Sequence, residues 1–395
     1  MRVNKRVVLA VLMLFMLGVV AGCGTSTEKK EGEKAAPEKT AEVAKIPVGL
    51  NVELSGAVAS YGSNARNGMV LAIDEINKAG GVLGKQLAPI EKDCQSKPDE
   101  AMNLSAALVG EKVVAQLGPL VSGAVAGCTP VMMKNKVPLI APAATAVNVT
   151  VDEKTGKTRD YIFRVCFLDS DQANRMAEFA MKELKVKNAV IYGSTSDEYA
   201  KGLAEYFKEA FTAGGGKIVA EEGYVNGDQD FKATLTKIKG KNPEFIYVPG
   251  YYKEVSILIK QARDLGIKAP IAGADGWDSP DMVKVAGAAA LNNTYFTNHY
   301  SVEDPSPTIQ AFVKAYQAKY NKVPDAFAAL GYDSAKLLAQ AIKDAGSDDP
   351  QKVTEALAKI KDFPAITGTM SINDKHNPVK KIVVIEFKDG KLVSR

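Results

Sequence analysis

The residues best suited to chemistry fall into two sets of opposite character. The first holds Ser122-Gly123, opening a helical stretch that runs towards Lys134, and Ala143-Ala144-Thr145. It offers hydroxyls and free backbone N–H groups with no acidic side chain among them. A serine at a helix start joins a hydroxyl to the positive end of the helix dipole, which suits a carboxylate. The second set holds Tyr199, Tyr251-Tyr252 and Asp275-Gly276-Trp277. An acid among phenols suits an ammonium group, by charge and by ring face. Ser55-Gly56 and Tyr61-Gly62 stand beside the first set. Each residue also has a duller role. Ser122 fits an N-cap, Thr145 a loop hydroxyl bonded to its own backbone, and Asp275 before glycine a turn. Tyr61, Tyr199 and Tyr251 fit ordinary packing, and Trp277 fits core or rim. It is their common position in the chain's rhythm that favours a joint role.

That rhythm is an alternation of strand-like and helix-like patterns from Ile46 onward. Strands are predicted at Val48–Leu54, Leu87–Asp93, Val113–Gly118, Val137–Ala141, Tyr161–Val165, Ala189–Gly193, Lys217–Tyr224, Phe245–Val248, Pro270–Ala274 and Thr294–Asn298. Helical faces show apolar residues three and four apart, as at Met69, Ala72, Ile73 and Ile76. Regular alternation implies an α/β fold whose parallel sheets are flanked by helices on both faces. Open parallel sheets bind ligands beyond the carboxyl ends of their strands, and every candidate above follows such an end. After about residue 300 helices dominate, at Pro307–Tyr320, Phe327–Ala345 and Pro350–Ile360. Thr369–Asn373 and Ile382–Phe387, followed by Lys388-Asp389-Gly390-Lys391, read as a closing strand pair with an Asp-Gly turn.

The amino terminus bears on the compartment. Arg2, Lys5 and Arg6 precede an apolar run, Val7–Val20, that is short for a permanent span and suits a secretory signal. Val20-Ala21-Gly22-Cys23 resembles a bacterial lipobox, which makes residues 1–22 a lipoprotein signal peptide and Cys23 the lipidated residue. An ordinary signal, or an uncleaved anchor with a chance cysteine, is the competing reading. Residues 23–45 are rich in Glu, Lys, Thr and Ala and lack aromatics, so they predict a flexible tether. The body of about 350 residues exceeds one hydrophobic core, so two lobes are expected.

Composition excludes several classes. Removing the 8 Lys/Arg and 5 Asp/Glu of residues 1–45 from totals of 50 and 46 leaves 42 against 41. Such a body has no pull towards nucleic acid. Cys94, Cys128 and Cys166 match no zinc spacing, and they leave open one disulfide with a free thiol or three buried thiols. The two histidines, His299 and His376, sit in no zinc or nucleophile motif, and neither a Gly-x-Ser-x-Gly elbow nor a Gly-x-Gly-x-x-Gly loop is present. A non-enzymatic protein without cofactor or metal is expected.

An ordered series of motifs then carries a resemblance. Leu71-Ala72-Ile73-Asp74-Glu75-Ile76-Asn77 with Gly80-Gly81-Val82-Leu83-Gly84 is followed by Gly118-Pro119, Ser122-Gly123, Ala144-Thr145, Phe163-Arg164, Asp169, Gln172, Tyr199, Gly250-Tyr251, Asp275-Gly276-Trp277 and Gly331-Tyr332-Asp333. The series resembles the leucine/isoleucine/valine-binding family of ABC-importer substrate-binding proteins, over nearly the whole body. The resemblance implies a type I periplasmic binding protein fold, two Rossmann-like lobes joined by a three-segment hinge. The crossings are expected near Val165–Phe167, Phe296–Asn298 and Ile366–Gly368. The N-terminal lobe would be 46–165 plus 298–366, and the C-terminal lobe 166–297 plus 367–395. It further implies that Ser122, Thr145 and the backbone of Ala143 take an α-carboxylate. Asp275, helped by Tyr199 and Tyr251, would take the α-ammonium, with Tyr61 and Trp277 lining the cleft and Asp169 and Gln172 at its mouth beside the hinge. The implied protein is a monomer, extracytoplasmic and lipid-anchored to the bacterial membrane. It would bind a branched-chain or other neutral L-amino acid and serve a membrane permease and its ATPase. An amide or aromatic acid as ligand, or a sensory role, is the alternative.

Overall fold

A computed structural model describes residues 44–395. The signal peptide, Cys23 and all but the end of the expected tether lie outside the described residues. Lys45, assigned above to the tether, instead opens the first strand.

The first lobe begins with β1 (Lys45–Val52), α1 (Ala59–Lys78), β2 (Gln86–Asp93), α2 (Pro98–Gly110), β3 (Gln116–Leu117), α3 (Ser122–Asn135), β4 (Leu139–Ala141) and β5 (Ile162–Arg164). Its five strands lie in the order β2-β1-β3-β4-β5, and all of the pairs are parallel. Ile46, Val48, Leu50 and Val52 of β1 are fully buried, as expected where helices cover both faces.

The second lobe follows with α4 (Asp169–Lys182), β6 (Asn188–Ser194), α5 (Glu198–Ala213), β7 (Lys217–Tyr224), α6 (Lys232–Lys239), β8 (Phe245–Tyr247), α7 (Tyr252–Asp264), β9 (Ile271–Gly273), α8 (Asp281–Ala286), α9 (Ala288–Leu291) and β10 (Thr294–Asn298). The chain then gives α10 (Pro307–Tyr320), α11 (Ala326–Ala345) and α12 (Pro350–Leu357), and returns for β11 (Val383–Lys388) and β12 (Lys391–Ser394). The seven-stranded order is β12-β11-β10-β9-β8-β6-β7, with β10–β11 and β11–β12 antiparallel. Asp389 and Gly390 both have positive φ, 51° and 75°, which the tight turn between β11 and β12 requires.

α10 to α12 belong with the first lobe, because α11 packs along α1. Two glycines permit the close approach. A Cβ on Gly68 would stand 1.9 Å from the Ala328 carbonyl oxygen, and one on Gly331 would stand 2.1 Å from that of Ala65.

Two sequence expectations are corrected. Thr369–Asn373 is not a sheet strand: it makes only the isolated bridges Phe363–Met370 and Ile372–Pro378, and β11 pairs with β10 and β12 instead. Proline lacks the N–H that would extend the pairing. The third crossing also falls later than Ile366–Gly368, so 367–378 sits on the first lobe. Asp333 of α11 accepts from the Ile366 and Thr367 amides, Thr150 Oγ1 donates to Asn377 Oδ1 at 2.8 Å, and the His376 ring stacks on Phe163 at 4.0 Å. The chain crosses between 379 and 382. There the Lys380 ammonium donates to the Val165 carbonyl at 2.8 Å and to Thr367 Oγ1, tying the first crossing to the third. The second crossing follows Asn298, the end of β10. Cys94, Cys128 and Cys166 are three buried free thiols.

Candidate ligand-binding crevice

Both strand orders reverse direction, between β1 and β3 in the first sheet and between β6 and β8 in the second. Carboxyl ends at such switch points open a crevice. The two crevices face each other, and one pocket joins Tyr61, Leu120, Val121, Ser122, Ala143 and Phe327 of the first lobe to Tyr199, Tyr251, Asp275 and Gly276 of the second. Its free volume is about 10 Å³, room for one water at most. The lobes are therefore closed upon each other.

The first-lobe side is built by the start of α3. Val121 occupies the cap position without a side-chain bond, so Ser122 is the first helical residue and not the N-cap. Its Oγ instead accepts from the Ala146 N–H at 3.1 Å. The amides of Leu120 and Val121 donate to Glu53, at 3.1 and 3.2 Å. Glu53 stands at the carboxyl end of β1 and is fully buried; burial pushes its carboxyl up to about 7. The 143–146 loop is held from beneath by the buried Arg164 guanidinium, which donates to the Ala144 and Ala146 carbonyls at 2.8 Å each. Thr145 does not line the pocket. It lies just behind, fully buried, and its hydroxyl has no hydrogen-bond partner among the described residues.

The second-lobe side centres on Asp275, which is 2% exposed. Its Oδ1 accepts from the Tyr199 hydroxyl at 2.8 Å and from Gln172 Nε2 at 3.1 Å. Its Oδ2 lies 3.0 Å from His299 Nε2. Burial lowers the basicity of His299 despite the adjacent carboxylate, so a neutral imidazole donates there and no cation answers the acid. Asp169, bonded through Gln172 at 2.9 Å, is pushed up to about 8 by burial and by Asp275, and it keeps its proton at neutral pH. The acidic group that faces the crevice is Asp275. Around it the Tyr199 and Tyr251 rings stack at 5.1 Å, and Tyr61 meets Tyr251 edge-on at 6.1 Å. A pocket of ring faces with one acid and no base suits an ammonium group.

The lobes are latched across the crevice. The Tyr61 hydroxyl donates to the Gly276 carbonyl and accepts from the Tyr252 amide at 3.2 Å. Ser60 and Ser279 hydroxyls are 3.0 Å apart, and the Lys253 ammonium donates to the Gly56 carbonyl at 2.8 Å.

Ser122, Ala143, Tyr61, Tyr199, Tyr251 and Asp275 are thus brought together. Asp169 and Gln172 are fully buried behind Asp275 rather than at the cleft mouth. Gln172 orients the acid: its Oε1 accepts from the Asp275 amide at 3.2 Å and from Thr297 Oγ1 at 2.7 Å. Trp277 is corrected from cleft lining to core. Its indole is completely buried over Gly273 and donates to the Val248 carbonyl at 3.2 Å. Glu53, Phe327 and His299 are candidate-site residues that the sequence reading passed over. Glu53 carried a signal, an acid at the end of an apolar strand run; His299, alone after a strand, carried none.

Comparison with known proteins agrees with this geometry. A family profile described as periplasmic binding protein matches residues 45–391. The Leu/Ile/Val-binding protein BraC3 of Rhizobium johnstonii is 33% identical over 89% of this chain and 94% of its own length. The branched-chain amino acid transporter substrate-binding protein LivJ of Streptococcus pneumoniae, solved with isoleucine, is 40% identical over 89% of this chain and all of that one, with a TM-score of 0.83. A solute-binding protein of an R. palustris ABC transporter, solved with benzoate, is 26% identical over 89% of this chain and 95% of that one, with a TM-score of 0.80. No helix among the described residues is long and apolar enough to cross a membrane. With two α/β lobes, crevices at both switch points and a match along nearly the whole body, the chain belongs to the periplasmic binding protein family.

Proposed function

We propose that this chain is the extracytoplasmic solute-binding component of an ABC importer, a binding protein and not an enzyme, anchored through a lipidated Cys23. It closes on a branched-chain or other neutral L-amino acid and presents the loaded form to a membrane permease driven by an ATPase. The observation that carries the reading is Asp275, a buried acid without a cationic partner, opposite Ser122 at the start of α3. The ligand ammonium would replace the missing cation, and the carboxylate would meet the Ser122 hydroxyl and the Ala143 backbone, with Thr145 behind them. Closure then brings both charges of one molecule to their partners, which is the differential affinity that a hinge needs.

A second reading has one observation in its favour. The rings of Tyr61, Tyr199, Tyr251 and Phe327 would pack well on an aromatic acid such as the benzoate bound by the R. palustris protein. Against it stands the Asp275 charge, which such an acid leaves unanswered. Calorimetric titration with the neutral L-amino acids and benzoate separates the two. Saturable one-to-one binding of at least one amino acid is expected, weakened about 100-fold in Asp275→Ala. Binding of benzoate with no response to any amino acid would overturn the proposal.

A further inference from the structure

A larger cavity, about 330 Å³, has Ser279 in its wall and shares no lining residue with the crevice. That is within the range of small-molecule sites. Three parts of the chain enclose it. The second lobe supplies Val283 and, from β11, Ile385 and Phe387; the second crossing supplies Val302; and the approach to α11 supplies Pro324 and Asp325.

Its walls are apolar, but one end carries two carboxylates. Asp278 is 3% exposed. Its Oδ2 accepts from Asn298 Nδ2 at 2.9 Å and from the Ala326 amide at 2.7 Å. Asp278 lines the cavity, and its Oδ1 makes no hydrogen bond to any described residue. Asp325 caps α11 through the Ala328 amide and accepts from Asn64. All of these donors are neutral, and no lysine, arginine or histidine among the described residues pairs with either acid. Burial pushes both carboxyls up, and neighbouring acids add to it, Asp275 for Asp278 and Asp278 for Asp325. Two like charges held together need either a shared proton or a cation, and here there is space for a cation. No group among the described residues has the composition of a metal site, and aliphatic walls favour an organic occupant.

We propose that this cavity is a second binding site, for a small alkylammonium compound whose charged head rests against Asp278 and Asp325 while its chain packs on Val283, Val302, Ile385 and Phe387. Because the walls come from both lobes, an occupant binds the closed form best and strengthens binding in the crevice, and by linkage the crevice ligand strengthens it in turn. Which molecule the crevice takes leaves the cavity's walls and its two acids the same.

The test is calorimetric titration of the full chain with n-pentylammonium chloride, using 1-pentanol as the uncharged control. Asp278→Asn removes the charge and keeps an acceptor for the Ala326 amide, whereas Val283→Phe fills the cavity and leaves both acids. Asp275→Ala disables the crevice alone. Saturable binding is expected in the wild type and in Asp275→Ala, weaker by about tenfold or more in both Asp278→Asn and Val283→Phe and for pentanol. No saturable binding to the wild type, or binding that survives both cavity substitutions, overturns the proposal. Binding lost in Asp275→Ala and kept in Asp278→Asn would place the probe in the crevice and overturns it equally.

Discussion

The Asp275 carboxylate sits among the Tyr199 hydroxyl, the Gln172 amide and a neutral His299. These donors fix its orientation without cancelling its charge, and this distinguishes a binding acid from a structural ion pair. Glu53 is a different case. It serves the backbone of the Leu120–Val121 turn from a fully buried position; the charge that reaches it is that of Asp93, while the nearby Cys94 and Cys128 thiols are held neutral by burial. Its folded-state carboxyl titrates at about 7 against 4.5 for the free group, so the folded state holds the proton longer. Stability contributed at low pH is therefore lost as pH rises from about 4.5 through 7. Glu53→Gln lacks this loss. Relative to the wild type it should gain stability between pH 5 and 8, by up to about 3 kcal/mol, read from urea denaturation midpoints across that range. Residue types at strand ends made Ser122, Tyr199, Tyr251 and Asp275 legible in the sequence. Trp277 was not legible, because its burial depends on Gly273 having no Cβ beneath the indole, a through-space fact that the local Asp-Gly-Trp string does not contain.

At the scale of elements, long apolar strands and amphipathic helices were readable because their periodicity is their packing. Lys217–Tyr224 and Thr294–Asn298 agree to the residue. β3 shrinks to Gln116–Leu117 although Val113, Val114 and Ala115 are buried, since burial makes a run look strand-like whether or not its backbone joins the ladder. The third crossing was misplaced because 367–378 clings to the first lobe by side-chain bonds rather than by any regular element. The α1–α11 contact leaves no room for added atoms at its two glycines. Gly331→Ala would drive a methyl into the Ala65 carbonyl, and the expected cost is about 1–3 kcal/mol, seen as a lower denaturation midpoint with an unchanged slope. A stability equal to the wild type would mean that the helices can separate without penalty.

Residues 44–395 form a clamshell whose halves meet through few direct bonds. Of these, Tyr61 makes two, to Gly276 and Tyr252, with one hydroxyl. Tyr61→Phe keeps the ring on Phe327 and removes both, so it should shift the population towards the open form. A larger radius of gyration in solution scattering without ligand, and crevice affinity reduced about tenfold, are the expected readings; identical scattering and affinity would deny the hydroxyl a part in closure. The crevice of about 10 Å³ between the closed lobes requires opening before any amino acid can enter. A crystal structure of the chain grown with L-isoleucine tests the central claim most directly. The account predicts the ligand between the lobes, its carboxylate within hydrogen-bond distance of Ser122 and its ammonium against Asp275. A ligand with its carboxylate turned to the second lobe, or bound outside this crevice, would contradict it.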